Sequence, residues 1–208
     1  MMAQPEILIA QPCQLVLVVE GKDEKHLFDA LLRHEGVQNA QVVPIGGKKQ
    51  LPANLRALRA TPHFRSVRSL GVIRDADADP DGAFRSVCGA LQRAGLPVPS
   101  GPAEPVAGPP RVGVFIVPSG SQLGALEDLC LAAVADDRAY PCVEKYFECL
   151  GQASVEWPRE RSRARMQVFL ASRQEVDKRL GEAAQAGYIP LASPVFDELR
   201  RFLHTLAK

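Results

Sequence analysis

Two short acidic signatures end two apolar runs of this 208-residue chain. The first is Leu15-Val16-Leu17-Val18-Val19-Glu20-Gly21-Lys22-Asp23-Glu24; the second is Leu70-Gly71-Val72-Ile73-Arg74-Asp75-Ala76-Asp77-Ala78-Asp79. Hard divalent cations take oxygen ligands, and Mg²⁺ uses one or two carboxylates together with waters and phosphate oxygens. A glutamate from one strand end and alternating aspartates from another therefore suit a Mg²⁺ or Mn²⁺ site with room for a phosphate-bearing substrate. Residues two apart in an extended chain face the same side, so Asp75, Asp77 and, beyond them, Asp79 are expected to converge with Glu20. Each acid also has a plainer use. Glu20, Asp23 and Glu24 suit the positive end of a following helix, and Asp79-Pro80-Asp81-Gly82 is turn chemistry in which Asp81 is the expected N-cap.

The elements that must position these groups follow from periodicity. Residues 14–19 form an apolar run too short for a helix, broken by Gly21. Asp23 to His34 reads as a helix with Leu27, Phe28, Leu31 and Leu32 inward. Strands are expected at 41–45, 68–74 and 112–117, with helices at 51–59 and from Asp81 to about Ala94. The proline-rich stretch 95–111 is a surface loop inserted before the fourth strand. Beyond Gly124 the pattern is helical, with segments at 126–134, 143–150 and 159–171, and a last helix starting at Ser193-Pro194.

The β-α-β-α-β-α-β order predicts an α/β fold: a mainly parallel, Rossmann-like four-stranded sheet flanked by helices. A helical extension follows. The expected division is an α/β domain over 1–135 and a helical extension over 136–208 packed on it. In such sheets ligands bind beyond the carboxyl ends of the strands, where both acidic signatures fall.

Composition excludes some classes. Lys+Arg total 25 against 24 Asp+Glu, so there is no global basic field for nucleic acid, although a local patch is compatible with that balance. Five cysteines without a CxxC pair fit free thiols in a reducing cytoplasm, mostly as small core residues. Met1 to Gln11 lacks a basic leader region, and no apolar run approaches membrane-spanning length, so a cytoplasmic protein with no membrane contact is expected.

Glu20-Gly21 after one apolar strand and Asp75-x-Asp77 after another resemble the Toprim domain shared by topoisomerases, bacterial primases, recombination mediators and OLD-type nucleases. The resemblance covers roughly residues 14–135. Ser119-Gly120-Ser121-Gln122-Leu123-Gly124-Ala125-Leu126-Glu127-Asp128-Leu129 looks like the Gly-x-x-Glu-Asp-Leu segment of OLD-like Toprim proteins. The stretch from Phe169-Leu170-Ala171-Ser172 to Gly187-Tyr188 resembles small stand-alone bacterial Toprim proteins of unknown function.

The resemblance implies metal-dependent phosphodiester hydrolysis. Glu20, Asp75 and Asp77 would hold one Mg²⁺, and Glu127, Asp128 and Asp79 would hold or assist a second, about 4 Å away. Besides Glu20, the catalytic candidates are Lys22, which follows it directly, and Lys178, in the segment where OLD-like enzymes place a lysine. The implied partners are nucleic acid, DNA ahead of RNA, a separately encoded ATPase, and further copies of the chain in a homo-oligomer. Phage defence and DNA repair are the implied settings. Two rival classes stay open: a non-catalytic binding module, as in recombination mediators, and a phosphohydrolase or nucleotidyltransferase acting on a small nucleotide.

Two basic motifs are candidates for nucleic-acid contact. Gly46-Gly47-Lys48-Lys49 follows a strand, where backbone amides with Lys48 and Lys49 suit a phosphate, or where the loop is simply a solvated turn. Arg161 and Arg165 share a helical face at i,i+4 and suit a phosphate backbone, or a solvated surface. His26, His34, His63 and His204 show no metal spacing, and Trp157 and Tyr188 read as packing residues.

Overall fold

The computed structural model describes residues 7–119 and 122–208. Strands β1 (Leu15–Val19), β2 (Ala40–Pro44), β3 (Ser69–Asp75) and β4 (Arg111–Val117) pair in parallel in the order β2-β1-β3-β4. Helices α1 (Lys22–His34), α2 (Leu51–Arg59) and α3 (Pro80–Arg93) make the crossovers. Then come α4 (Leu126–Ala133), α5 (Tyr140–Gln152), α6 (Arg161–Ala171), α7 (Leu180–Gln185) and α8 (Asp197–Ala207). This is the expected α/β architecture, a parallel four-stranded sheet flanked by helices.

Parallel strands covered on both faces read as unbroken apolar runs, and alternation sorts their side chains between two layers. Val16, Val18, Leu70, Val72, Val112, Val114 and Ile116 pack with Leu55 and Leu58 of α2 and Val87 and Leu91 of α3. Leu15, Leu17, Val19, Ile73, Phe115 and Val117 face Leu27, Phe28 and Leu31 of α1 and the helices beyond β4. On that second face α8 lies directly against β3 and β4. Gly71 and Gly113, paired across the two strands, admit it: a Cβ at Gly113 would sit 2.7 Å from Phe202, and one at Gly71 2.8 Å from Leu206.

The proline-rich loop does more than connect. Ala103 N–H donates to the Val114 carbonyl at 2.7 Å, and Val106 and Val112 exchange backbone bonds of 2.8 and 3.0 Å. The loop thus covers part of the outer edge of β4, an edge that would otherwise offer unpaired backbone groups.

Several boundaries differ from expectation. The N-cap of α3 is Asp79, whose Oδ1 accepts from Gly82 N–H at 2.8 Å, and not Asp81. Pro80 takes the first helical position, which makes the residue before it the cap. Ser193 caps a 3₁₀ turn, Pro194–Phe196, that leads into α8. The six-residue α7 is too short to announce itself by periodicity. Cys13 and Cys130 are core residues, whereas Cys142 and Cys149 are exposed. Among the described residues no helix is long and apolar enough to cross a membrane.

Candidate functional site

The carboxyl ends of β1 and β3 open into a cleft of about 910 Å³. The strands are in register at Val18 and Val72, so Glu20 and Arg74 lie level two residues on. Arg74 donates through Nη1 to Glu20 Oε1 and through Nη2 to Asp77 Oδ2 at 3.4 Å. Lys48 Nζ reaches the same Asp77 oxygen at 3.1 Å.

Asp75 and Asp77 do not form the extended same-side pair expected of Asp-x-Asp. The strand ends at Asp75, and Asp77 adopts a left-handed conformation with φ of 52°. Its backbone exchanges hydrogen bonds with Gly124, at 2.8 and 2.9 Å. That clamp brings the start of α4 over the end of β3. Leu126 N–H then donates to Asp75 Oδ1 at 3.1 Å, and Glu127 lines the cleft.

The result is a floor of acids from four elements: Glu20 after β1, Glu24 on α1, Asp75 on β3 and Glu127 on α4. Burial pushes the Asp75 carboxyl up to about 8, and the negative charges of Glu20, Glu24 and Glu127 push the same way against the opposing Leu126 amide. Glu24 is also raised, first by its burial and then by Glu20, Glu127 and Asp23. Burial raises Glu20 despite the lowering effect of Arg74.

The opposite wall is basic. Arg159 and, at the start of α6, Arg161 and Arg163 line the cleft together with Arg179 before α7. Arg163 approaches Glu127 at 3.9 Å and pairs with Glu160 at 3.1 Å. Arg161 lies over the Trp157 ring at 4.9 Å.

The structure separates the remaining candidates. Lys22 lines the cleft. Asp128 has both carboxylate oxygens engaged, with Ala125 N–H at 2.8 Å and with the Ser162 hydroxyl. It lines the cleft and ties α4 to α6 there. Asp79 is an exposed helix cap near Arg85. Lys178 pairs with Glu175 at 2.9 Å and lines an adjoining cavity of about 510 Å³, which shares Asp23, Glu127, Arg163 and Arg179 with the cleft.

Arg165 does not join Arg161 at the cleft. It makes a two-point bond to Glu144, at 2.9 and 3.3 Å, and packs on Phe147 and Trp157. Gly46 and Gly47 line the cleft, but their amides donate to the Glu20 carbonyl at 2.9 and 3.1 Å, so the loop fastens β2 to β1 instead of cradling an anion. Lys49 is exposed. Gly120 and Ser121, in the stretch that leads into the Gly-x-x-Glu-Asp-Leu segment, lie outside the described residues.

Arg74 and Glu24 were missed in the sequence, yet each carried a signal. A charge inside an otherwise apolar strand needs a partner, and Glu24 falls in the first turn of the helix that starts just after Glu20. By type and charge balance the floor fits a hard divalent cation. The side chains are not preset for one: among the described residues no three of the His, Cys, Asp and Glu side chains gather closely enough to hold a metal. Binding would have to draw the flexible glutamates toward Asp75.

None of the curated proteins matches this chain. Among solved structures, the C-terminal region of the Xanthomonas campestris pv. campestris OLD protein is similar in outline, with a TM-score of 0.49 and 14% identity over 94% of this chain and 92% of that one. A family model described as a protein of unknown function (DUF3226) matches residues 14–208, and the chain belongs to that family.

Proposed function

We propose that this protein binds Mg²⁺ or Mn²⁺ in the cleft and hydrolyses a nucleic-acid phosphodiester. The observation that carries the reading is the pairing, within one cleft, of an acidic floor (Glu20, Glu24, Asp75, Glu127) with an arginine wall (Arg159, Arg161, Arg163, Arg179). A polyanionic substrate cannot approach such a floor without a cation between them, while the wall suits its phosphates directly. Glu24, Asp75 and Glu127, beside the Arg74-paired Glu20, would hold the ion; when bound it supplies Lewis-acid charge at a phosphoryl oxygen and lowers the pKa of water.

The chain's own groups do the rest. Arg161 and Arg163 stand at the start of α6, where the helix end also favours a phosphate. Lys22 sits beside the floor as a point charge for the reacting phosphate. Near neutrality the Asp75 carboxyl holds a proton in the cation-free protein, so cation binding is coupled to proton release. On the resemblance read from the sequence, the activity belongs to phage defence or DNA repair beside a separately encoded ATPase.

The test is nicking of supercoiled plasmid under Mg²⁺ or Mn²⁺. Loss of cleavage in Asp75→Asn, with cleavage retained in Asp79→Asn, is expected; activity persisting in Asp75→Asn rejects the site. A second reading, a binding module without cleavage, is favoured by the Arg74–Glu20 pair and by the absence of a preset ligand trio among the described residues. Salt-sensitive DNA binding with no cleavage under either metal, alone or with an ATPase partner, selects it.

A further inference from the structure

A cation entering the cleft meets one that the fold already supplies. Arg74 is 8% exposed, on a strand whose members before it, Ser69 to Ile73, are all apolar or small. An arginine is retained at such a position only if it is paired. Its partners are Glu20 and Asp77, and Lys48 adds a second positive group to Asp77. Among the ion pairs of the described residues none involves Asp75 or Glu24, and Glu127 has only Arg163, at 3.9 Å.

Strand geometry explains the division. Successive side chains point to opposite faces. Glu20 and Arg74 continue the series of Val18 and Val72, on the layer of α2 and α3. Asp75 continues that of Ile73, on the layer that holds α1 with Glu24 and α4 with Glu127. The cleft floor therefore has a neutralised half and an uncompensated half.

We infer that Arg74 is the resident second cation of this site: the cleft takes one divalent ion, on Asp75, Glu24 and Glu127, and the guanidinium occupies the charge position beside Glu20 and Asp77 where a two-metal site would place its other ion. The inference rests on the cation-binding reading above and departs from the two-ion arrangement that the family resemblance implies. Asp79 and Asp128, the further ligands of that arrangement, are occupied as helix caps.

The experiment is titration of the full chain with Mn²⁺, followed by calorimetry and by the electron paramagnetic resonance of free Mn²⁺. The wild type is expected to bind one equivalent. Arg74→Lys keeps the charge and is expected to bind one equivalent with similar affinity. Arg74→Met removes the charge and is expected to gain a second equivalent, or to tighten the first at least about tenfold.

Two equivalents in the wild type overturn the inference while leaving the cation-binding reading intact. Arg74→Met unchanged in both stoichiometry and affinity also overturns it. If Arg74→Met fails to fold, the wild-type and Arg74→Lys stoichiometries decide. Zero equivalents in the wild type defeat the cation-binding reading; in that case one equivalent gained by Arg74→Met still identifies Arg74 as the site's cation, and none gained overturns both.

Discussion

Asp75→Asn should stabilise the metal-free protein, and the gain should grow with pH. The Asp75 carboxyl ionises near 3.8 when unfolded and near 8 when folded, because folding buries it among Glu20, Glu24 and Glu127. With the folded value raised, the folded state binds the proton more tightly. Its contribution to stability is fully present below 3.8 and is lost progressively as pH rises toward about 8. At pH 7 the carboxyl must stay protonated about 3 units above its unfolded pKa, which costs about 4 kcal/mol at 1.36 kcal/mol per unit.

Asparagine abolishes that cost and keeps an oxygen for the Leu126 amide. The expected gain is about 2–4 kcal/mol at pH 7, or roughly 5–15 °C in Tm for a chain of this size, and about half that or less at pH 5. Thermal melts of both proteins in EDTA from pH 5 to 8 check this. Adding Mg²⁺ should then raise the wild-type Tm and leave the variant nearly unmoved. A Tm gap independent of pH, or an asparagine variant less stable than wild type at pH 8, would refute the reasoning.

Other outcomes follow from the same contacts. Arg161→Ala and Arg163→Ala should each weaken DNA binding and reduce its salt slope by about 1 in a fluorescence anisotropy titration. Arg165→Ala should lower Tm and leave that slope unchanged, because Arg165 is committed to Glu144 and to the aromatic rings. Asp128→Ala should cost about 1 kcal/mol in denaturant unfolding through the lost α4 cap, with Mn²⁺ affinity unchanged. Gly113→Ala should cost about 1–3 kcal/mol by overpacking α8, seen as a lower urea midpoint; no change there would mean that Phe202 yields freely.

The strands were legible because parallel strands covered on both faces must be apolar throughout, and LVLVV and LGVI announce themselves. Glu20 and Asp75 were legible for the related reason that an acid closing such a run falls at the carboxyl edge of the sheet. The helices with strong stripes, α1 and α2, could be placed from spacing alone. The uses of Asp79, Asp128 and Arg165 could not. All three are charged residues for which cap, ion pair and ligand are equally good readings until a partner is fixed.

Residue type and periodicity, which are local, determined the sheet, its edge and the kind of chemistry that edge suits. Partner choice is not local. Arg74 meets Glu20 across 54 positions, and Leu126 meets Asp75 across 51. The left-handed turn at Asp77 and its clamp to Gly124 carry the two aspartates into different surroundings. Only the packed chain decides which carboxylates are neutralised and which are left to share a buried charge, because that depends on distances and burial that no stretch of sequence contains.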